Sequence, residues 1–164
     1  MVNDIAALTA PGAIEACVPG ATGICLMHMR GEPATMQDAP VYDNVVAEVR
    51  AFLIERGRAC EAAGIAADRI AIDPGFGFGK TRAHNLTLLR ALGDFAATGY
   101  PVLVGLSRKK SLGEITGRAT GERLAASLAA ALAAVARGAS IVRVHDVRET
   151  VDALKVWGAI EQGS

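Results

Sequence analysis

Five short apolar runs, each trailed by a helical pattern and each ending in polar residues, limit what this chain can fold into more than any other feature. They cover residues 2–5, 24–29, 70–73, 102–106 and 141–145. Nearly continuous rather than alternating hydrophobicity is what parallel strands covered on both faces require, so the sheet is predicted to be buried. Between the runs, Tyr42, Val45, Val46, Val49, Phe52 and Leu53 recur at helical spacing, with Gly64 as the stop. Leu86, Leu89, Leu92 and Phe95 mark a second helix that ends at Gly99, before Pro101. Leu124, Leu128, Leu132 and Val135 mark a third, so rich in alanine that it can pack closely on a sheet or a partner helix, with Gly138 as its stop. Val147, Val151, Leu154, Trp157 and Ile160 mark the last, while residues 11–18 offer only a short first helix. Strand then helix, five times without a linker, predicts one α/β domain over residues 1–164 with right-handed crossovers. An open doubly wound sheet and part of a (βα)8 barrel both satisfy this. A closed eight-stranded barrel takes about 250 residues, so length favours the open sheet.

Seventeen Lys and Arg balance seventeen Asp and Glu, and 51% of the residues are hydrophobic. Such a chain buries a core rather than staying disordered. It presents no basic surface for nucleic acid and no polybasic membrane anchor. The longest nearly uncharged helical stretch, residues 124–136, falls short of the roughly 20 residues a bilayer demands. Asp4 stands where an export signal would be basic and then apolar, so a cytoplasmic protein is expected. Cys17, Cys25 and Cys60 form no C-x-x-C pair and leave an odd thiol, which reads as reduced core cysteine. His28, His84 and His145 lack metal-ligand spacing, and no protein-ligated metal is predicted; His84 with Asn85 reads as a helix start.

The polar residues able to do chemistry gather after the strands: Asn3 and Asp4, His28, Asp73, Ser107 with Arg108 and Lys109, and Arg143, His145 and Asp146. Strand carboxyl ends are where βα folds build their sites. The segment Asp73-Pro74-Gly75-Phe76-Gly77-Phe78-Gly79-Lys80 matches neither a P-loop nor a dinucleotide fingerprint, because Pro74 and Lys80 stand where each needs glycine. Its glycines allow positive φ and close approach to a ligand. Phe76 and Phe78 form either an aromatic flap or packing beneath the turn. A carboxylate ending an apolar strand needs a cation or ligand donors. For Asp73 the candidates are Lys109, Arg143 or a planar amidine-like ligand edge. Lys109, Arg143 and His145 suit an anion pocket, while Arg108 and Lys110 read as solvated surface.

Together, Cys25-Leu26-Met27-His28-Met29, the 73–80 segment, Ser107-Arg108-Lys109, Arg143-Val144-His145-Asp146 and Asn3-Asp4 resemble dihydropteroate synthase, in order from Val2 to about Trp157. That family condenses 6-hydroxymethyl-7,8-dihydropterin diphosphate with p-aminobenzoate to give 7,8-dihydropteroate and pyrophosphate for folate synthesis, and sulfonamides compete for the p-aminobenzoate place. The resemblance implies that Asn3 and Asp73 bond the pterin edge, Met27 packs on its ring, and Lys109 reaches its carbonyl and N5 side. It implies Arg143 and His145 at the diphosphate, Phe78 and Lys109 beside p-aminobenzoate, and Gly77 among the substrate-binding residues. Lys109, Arg143 and His145 would then be catalytic. Only units four to eight of the family's barrel are matched, so the implied fold is five βα units of a partial TIM (βα)8 barrel lacking the first three. Mg²⁺ is expected to arrive with the substrate diphosphate in the complete enzyme, its main protein ligand being absent from this sequence. Lys110 stands where a serine often follows the motif lysine, with Ser111 one later, and Met1 replaces an ordinary strand residue. Free strand edges lead us to expect a homo-oligomer or a complementing N-terminal piece. Without that piece the alternative is a pterin- or anion-binding or assembly remnant lacking turnover.

Overall fold

The computed structural model describes residues 1–31, 36 and 40–162. Among the described residues five strands and seven α-helices follow in the order β1 (Val2–Asp4), α1 (Ala13–Cys17), β2 (Ile24–Met27), α2 (Val45–Ala62), β3 (Ile70–Asp73), α3 (Arg82–Arg90), α4 (Leu92–Ala96), β4 (Leu103–Val104), α5 (Lys110–Thr116), α6 (Leu124–Val135), β5 (Ile141–Val142) and α7 (Val147–Gln162). All pairings are parallel. β1, β2 and β3 lie side by side, and so do β4 and β5. A parallel bridge between Ile72 and Val102 joins the two groups, and the Ile72 N–H donates to Pro101 O at 2.9 Å. The strands thus follow chain order, without the reversal that a doubly wound sheet has at its switch point.

The period-two geometry of a strand sorts side chains onto two faces. Ile72 and Val104 pack outward with Val49, Leu53, Leu88, Leu92, Phe95, Ala130 and Ala134 of the helices. Ile24, Leu26 and Ile70 do the same against Cys60 and Ile65. On the inner face Cys25, Ala71 and Leu103, with Ile141 beside them, form one small-residue layer. Two positions further along each strand come Met27, Asp73, Gly105 and Arg143, so the alternation itself delivers the polar groups to one level.

Several expected boundaries change. β1, β2, β4 and β5 are shorter than residues 2–5, 24–29, 102–106 and 141–145, and past the end of β5 a side chain replaces the ladder acceptor. The His145 N–H donates to Ser107 Oγ at 3.2 Å. Burial holds for β2, β3 and β4 but not for β1, where Val2 is 41% exposed, or for half-buried β5. Each of these two pairs on one side only among the described residues.

Tyr42 lies outside α2, which begins after its N-cap Asn44; the Asn44 Oδ1 accepts from Ala47 N at 3.0 Å. The expected single helix over Leu86 to Phe95 breaks at Ala91, and its buried stripe is Asn85, Leu88, Leu92 and Phe95. The stripe shifts because Asn85 turns inward to accept the Gly77 N–H at 2.9 Å. His84 does lie in the first turn of α3, closing a capping box with the N-cap Thr81. In α6 the buried face is Ser127, Ala130, Ala131 and Ala134, the close packing that small residues permit. Leu128 and Leu132 instead line an apolar groove with Val156, Trp157 and Ile160 of α7. No helix among the described residues is long and apolar enough to cross a membrane. Cys25 and Cys60 are buried, Cys17 is half-buried, and all three are free thiols.

Candidate active site

At the carboxyl ends of the strands lies a cleft of about 500 Å³ lined by Asn3, Ile5, Met27, Phe78, Gly105, Ser107, Lys109, Arg143, Val144 and His145. Six of the eight residues to which the resemblance gives a substrate-binding role meet there. Of the other two, Asp73 is buried beside it and held by Arg143, and Gly77 lines an adjoining hollow of about 400 Å³ that shares Lys109.

Asp73 is 1% exposed. Its Oδ1 accepts the Gly75 N–H at 2.7 Å, and its Oδ2 faces Arg143 Nη2 at 3.2 Å. Arg143, rather than Lys109, is therefore the ion-pair partner, and the same guanidinium also donates to Asn3 Oδ1. Burial pushes the Asp73 carboxyl above the ordinary carboxylate range, against the lowering pull of the Gly75 N–H, Arg143, Lys109 and Lys80. The group is held at high energy in its charged form, and a ligand that donates to it would relieve that cost. Gly105 makes this crossing possible: a Cβ there would stand 2.6 Å from Arg143 Nη2.

The two phenylalanines divide the alternatives between them. Phe76 is buried in the core. Phe78 lines the cleft, with Lys109 Nζ 4.4 Å from its ring centroid. Burial, then neighbouring Arg143, depress the Lys109 ammonium, while Asp73 supports it. His145 Nδ1 lies 3.0 Å from Ser107 Oγ, so the segment after β4 orients the imidazole. Arg108 is not merely solvated; it makes a two-pronged pair with Asp146, 3.1 Å from Nε to Oδ2. Lys110 is exposed, 3.7 Å from Glu114.

Sequence reasoning missed three supports. Ser107 and Lys80 stand within segments that carry the resemblance, and Asn85 beside His84 at a helix start, but the sequence assigns none of the three a role. Lys80 is 2% exposed. Its Nζ lies 2.9 Å from His28 Nδ1, 3.0 Å from Phe78 O, 3.1 Å from Gly75 O and 3.3 Å from His28 O. With the ammonium donating, His28 is neutral and carries its proton on Nε2.

Burial first, then Lys80 and Arg30, lower the His28 pKa to about 3. The unfolded imidazole takes its proton near the ordinary 6.5, and the folded one refuses it until about 3. The stabilisation is thus full above 6.5 and is lost as pH falls through that window. Unfolding free energy is expected to drop by about 2 kcal/mol between pH 7 and pH 5 from this group. Asp73, with its raised pKa, works in the opposite direction, so urea titrations of wild type and His28→Gln isolate the histidine. Equal pH slopes for the two proteins would show that His28 is not the source.

Chain-ordered parallel strands with a buried carboxylate, an arginine and a histidine at one mouth form a polar cleft at the carboxyl ends of an α/β sheet. A family model described as "Pterin binding enzyme" matches residues 1–145, and the chain belongs to that family. Within it, the similarity is to dihydropteroate synthases. That of Neisseria meningitidis serogroup C is 56% identical over 163 residues, covering 98% of this chain and 58% of the relative. The dihydropteroate synthase of Stenotrophomonas maltophilia, solved with active site-bound imidazole, superposes with TM-score 0.96 at 56% identity, over 100% of this chain and 62% of that one. That of Xanthomonas albilineans in complex with 7,8-dihydropteroate superposes with TM-score 0.91 at 52% identity, over 98% and 59%. The chain spans about three-fifths of the length of these relatives.

Proposed function

We propose that this chain carries the pterin- and diphosphate-binding part of a dihydropteroate synthase site, on five βα units corresponding to the later units of a TIM barrel. The observation that supports it best is the convergence of Asn3, Asp73 and Arg143, 140 residues apart at the extremes, at the wall of one cleft. In this reading Asp73 and Asn3 receive the amino and amide edge of the pterin, Met27 packs on the ring and Lys109 meets its carbonyl and N5 side. As the ligand's donors take over at Asp73, Arg143 is released to join His145 at the diphosphate. The C–O bond from the pterin methylene to the diphosphate then breaks. A C–N bond to p-aminobenzoate forms in its place, and the amine gives up one proton. Cations at the leaving group stabilise the charge that grows there, while Phe78 and Lys109 border the incoming amine.

Mg²⁺ would come with the diphosphate. Among the described residues no three His, Cys, Asp or Glu side chains converge to hold a metal, so these residues offer no protein cage and no step is assigned to the ion. We further propose a cytoplasmic setting, and association through the free edges of β1 and β5 with a second copy or a complementing N-terminal segment.

Arg143→Ala tests the assignment. Pyrophosphate affinity is expected to fall about tenfold, the worth of one charge-assisted hydrogen-bonded contact of roughly 1.5 kcal/mol. A dihydropterin lacking the diphosphate should lose far less. Equal loss for both ligands in calorimetric titration would make Arg143 structural only.

A further inference from the structure

Lys80 is a buried cation that the proposed chemistry leaves unused, and its surroundings are unusual for one. No carboxylate lies within ion-pair distance among the described residues; its donors face three backbone carbonyls and one imidazole nitrogen. Those acceptors come from two places. His28 follows β2, whereas Gly75 and Phe78 belong to the glycine-rich loop after β3. The ammonium therefore sits where two strand-end loops meet. Burial drives its pKa down to about 7 despite Asp73. Three further contacts brace the same loop: Asn85 Oδ1 accepts the Gly77 N–H, Asn85 Nδ2 donates to Ser111 Oγ at 3.1 Å, and the Tyr42 hydroxyl donates to Gly79 O at 2.9 Å. At the crest of the loop is Phe78, the ring that faces Lys109 in the cleft.

We propose that Lys80 is a positioning residue whose ammonium pins the 75–79 loop to the end of β2 and so holds Phe78 at the mouth of the cleft; the consequence for aromatic-amine binding rests on the function proposed above. A carbonyl cluster without a central donor would repel itself, and the loop, already committed to positive φ at Gly75, Gly77 and Gly79, is tied by that donor to His28 at the end of β2.

The test is amide hydrogen exchange on the 164-residue chain with Lys80→Met and Lys80→Gln, which remove the charge at similar side-chain length. Amides of Gly75–Gly79 are expected to exchange at least tenfold faster in both variants, with those of β2 and β3 unchanged. Affinity for p-aminobenzoate, measured with pyrophosphate present, should weaken about tenfold while that for pyrophosphate alone stays within twofold. Unchanged loop exchange would overturn the proposal. So would exchange rising throughout the sheet, or failure of both variants to fold, since each would make Lys80 a global support. A wild-type chain that binds neither ligand would refute the functional reading instead, and the exchange result would still decide the role of Lys80.

Discussion

Gly75→Ala is expected to destabilise the protein by about 2 to 5 kcal/mol, a large share of the roughly 5 to 15 kcal/mol that holds a domain folded. Two costs combine. The residue sits at φ +71°, a left-handed conformation that costs an L-residue about 1 to 2 kcal/mol. Its Cβ would also stand 1.9 Å from His28 O. That oxygen is backbone at the end of β2 and one of the acceptors of Lys80, so relief would displace the strand end and loosen the buried ammonium together. Forcing atoms into packed space typically costs a further 1 to 3 kcal/mol. Gly64→Ala separates the two costs, because Gly64 has φ +98° but nothing within 4 Å of a built Cβ. It should lose only about 1 kcal/mol. Urea denaturation midpoints giving the same loss for both variants would show that the close approach at His28 is not a constraint.

That close approach marks where sequence reading gains and loses its hold. The five strands were legible because unbroken apolar runs have few other uses, and the site level followed from polar residues falling at each carboxyl end. The glycine-rich loop was legible as a place where backbone comes near something. What it approaches was not, since the first neighbour of Gly75 is the carbonyl of His28, 47 positions earlier. The same limit hid the choice between Lys109 and Arg143 as partner of Asp73. Spacing placed both cations at the right level, but which of them reaches Asp73 depends on side-chain paths across the sheet, and Arg143 passes over Gly105 to do so. Leu86 and Leu89 fitted a helical stripe as well as Leu88 did; the inward turn of Asn85 toward Gly77 settled the rotation. The short α5 carries too few apolar residues to register as a period. Lys80 was hidden for a different reason: a lysine reads as solvent-facing unless the acceptors that surround it are known, and those acceptors are backbone atoms, which a sequence does not name.

Asp73→Asn is expected to separate binding from stability. The carboxylate is buried, and its ionised form is disfavoured by the loss of water more than it is supported by its partners. An amide of the same shape removes that desolvation cost, and its oxygen can still accept the Gly75 N–H. What is lost is the ion pair with Arg143, whose side chain is 43% exposed and can turn to solvent. Replacing one partner of a buried, fully enclosed pair costs about 3 to 5 kcal/mol; with Arg143 half in water the net change in unfolding free energy should stay within about 1 kcal/mol. Binding behaves differently. On the proposed reading the pterin's amino and amide N–H groups donate to a charged acceptor, and each such bond contributes about 1.5 to 3 kcal/mol. An amide presents one neutral acceptor and turns an N–H toward a donor edge. Pterin affinity should therefore fall roughly ten- to a hundredfold, with pyrophosphate affinity nearly unchanged because Arg143 remains. Retained stability with lost pterin affinity is the pattern of a residue kept for its ligand at some cost to the fold. Calorimetry that finds pterin affinity unchanged would place the pterin elsewhere, and a large fall in the denaturation midpoint would show that the Asp73–Arg143 pair exists to hold β3 to β5.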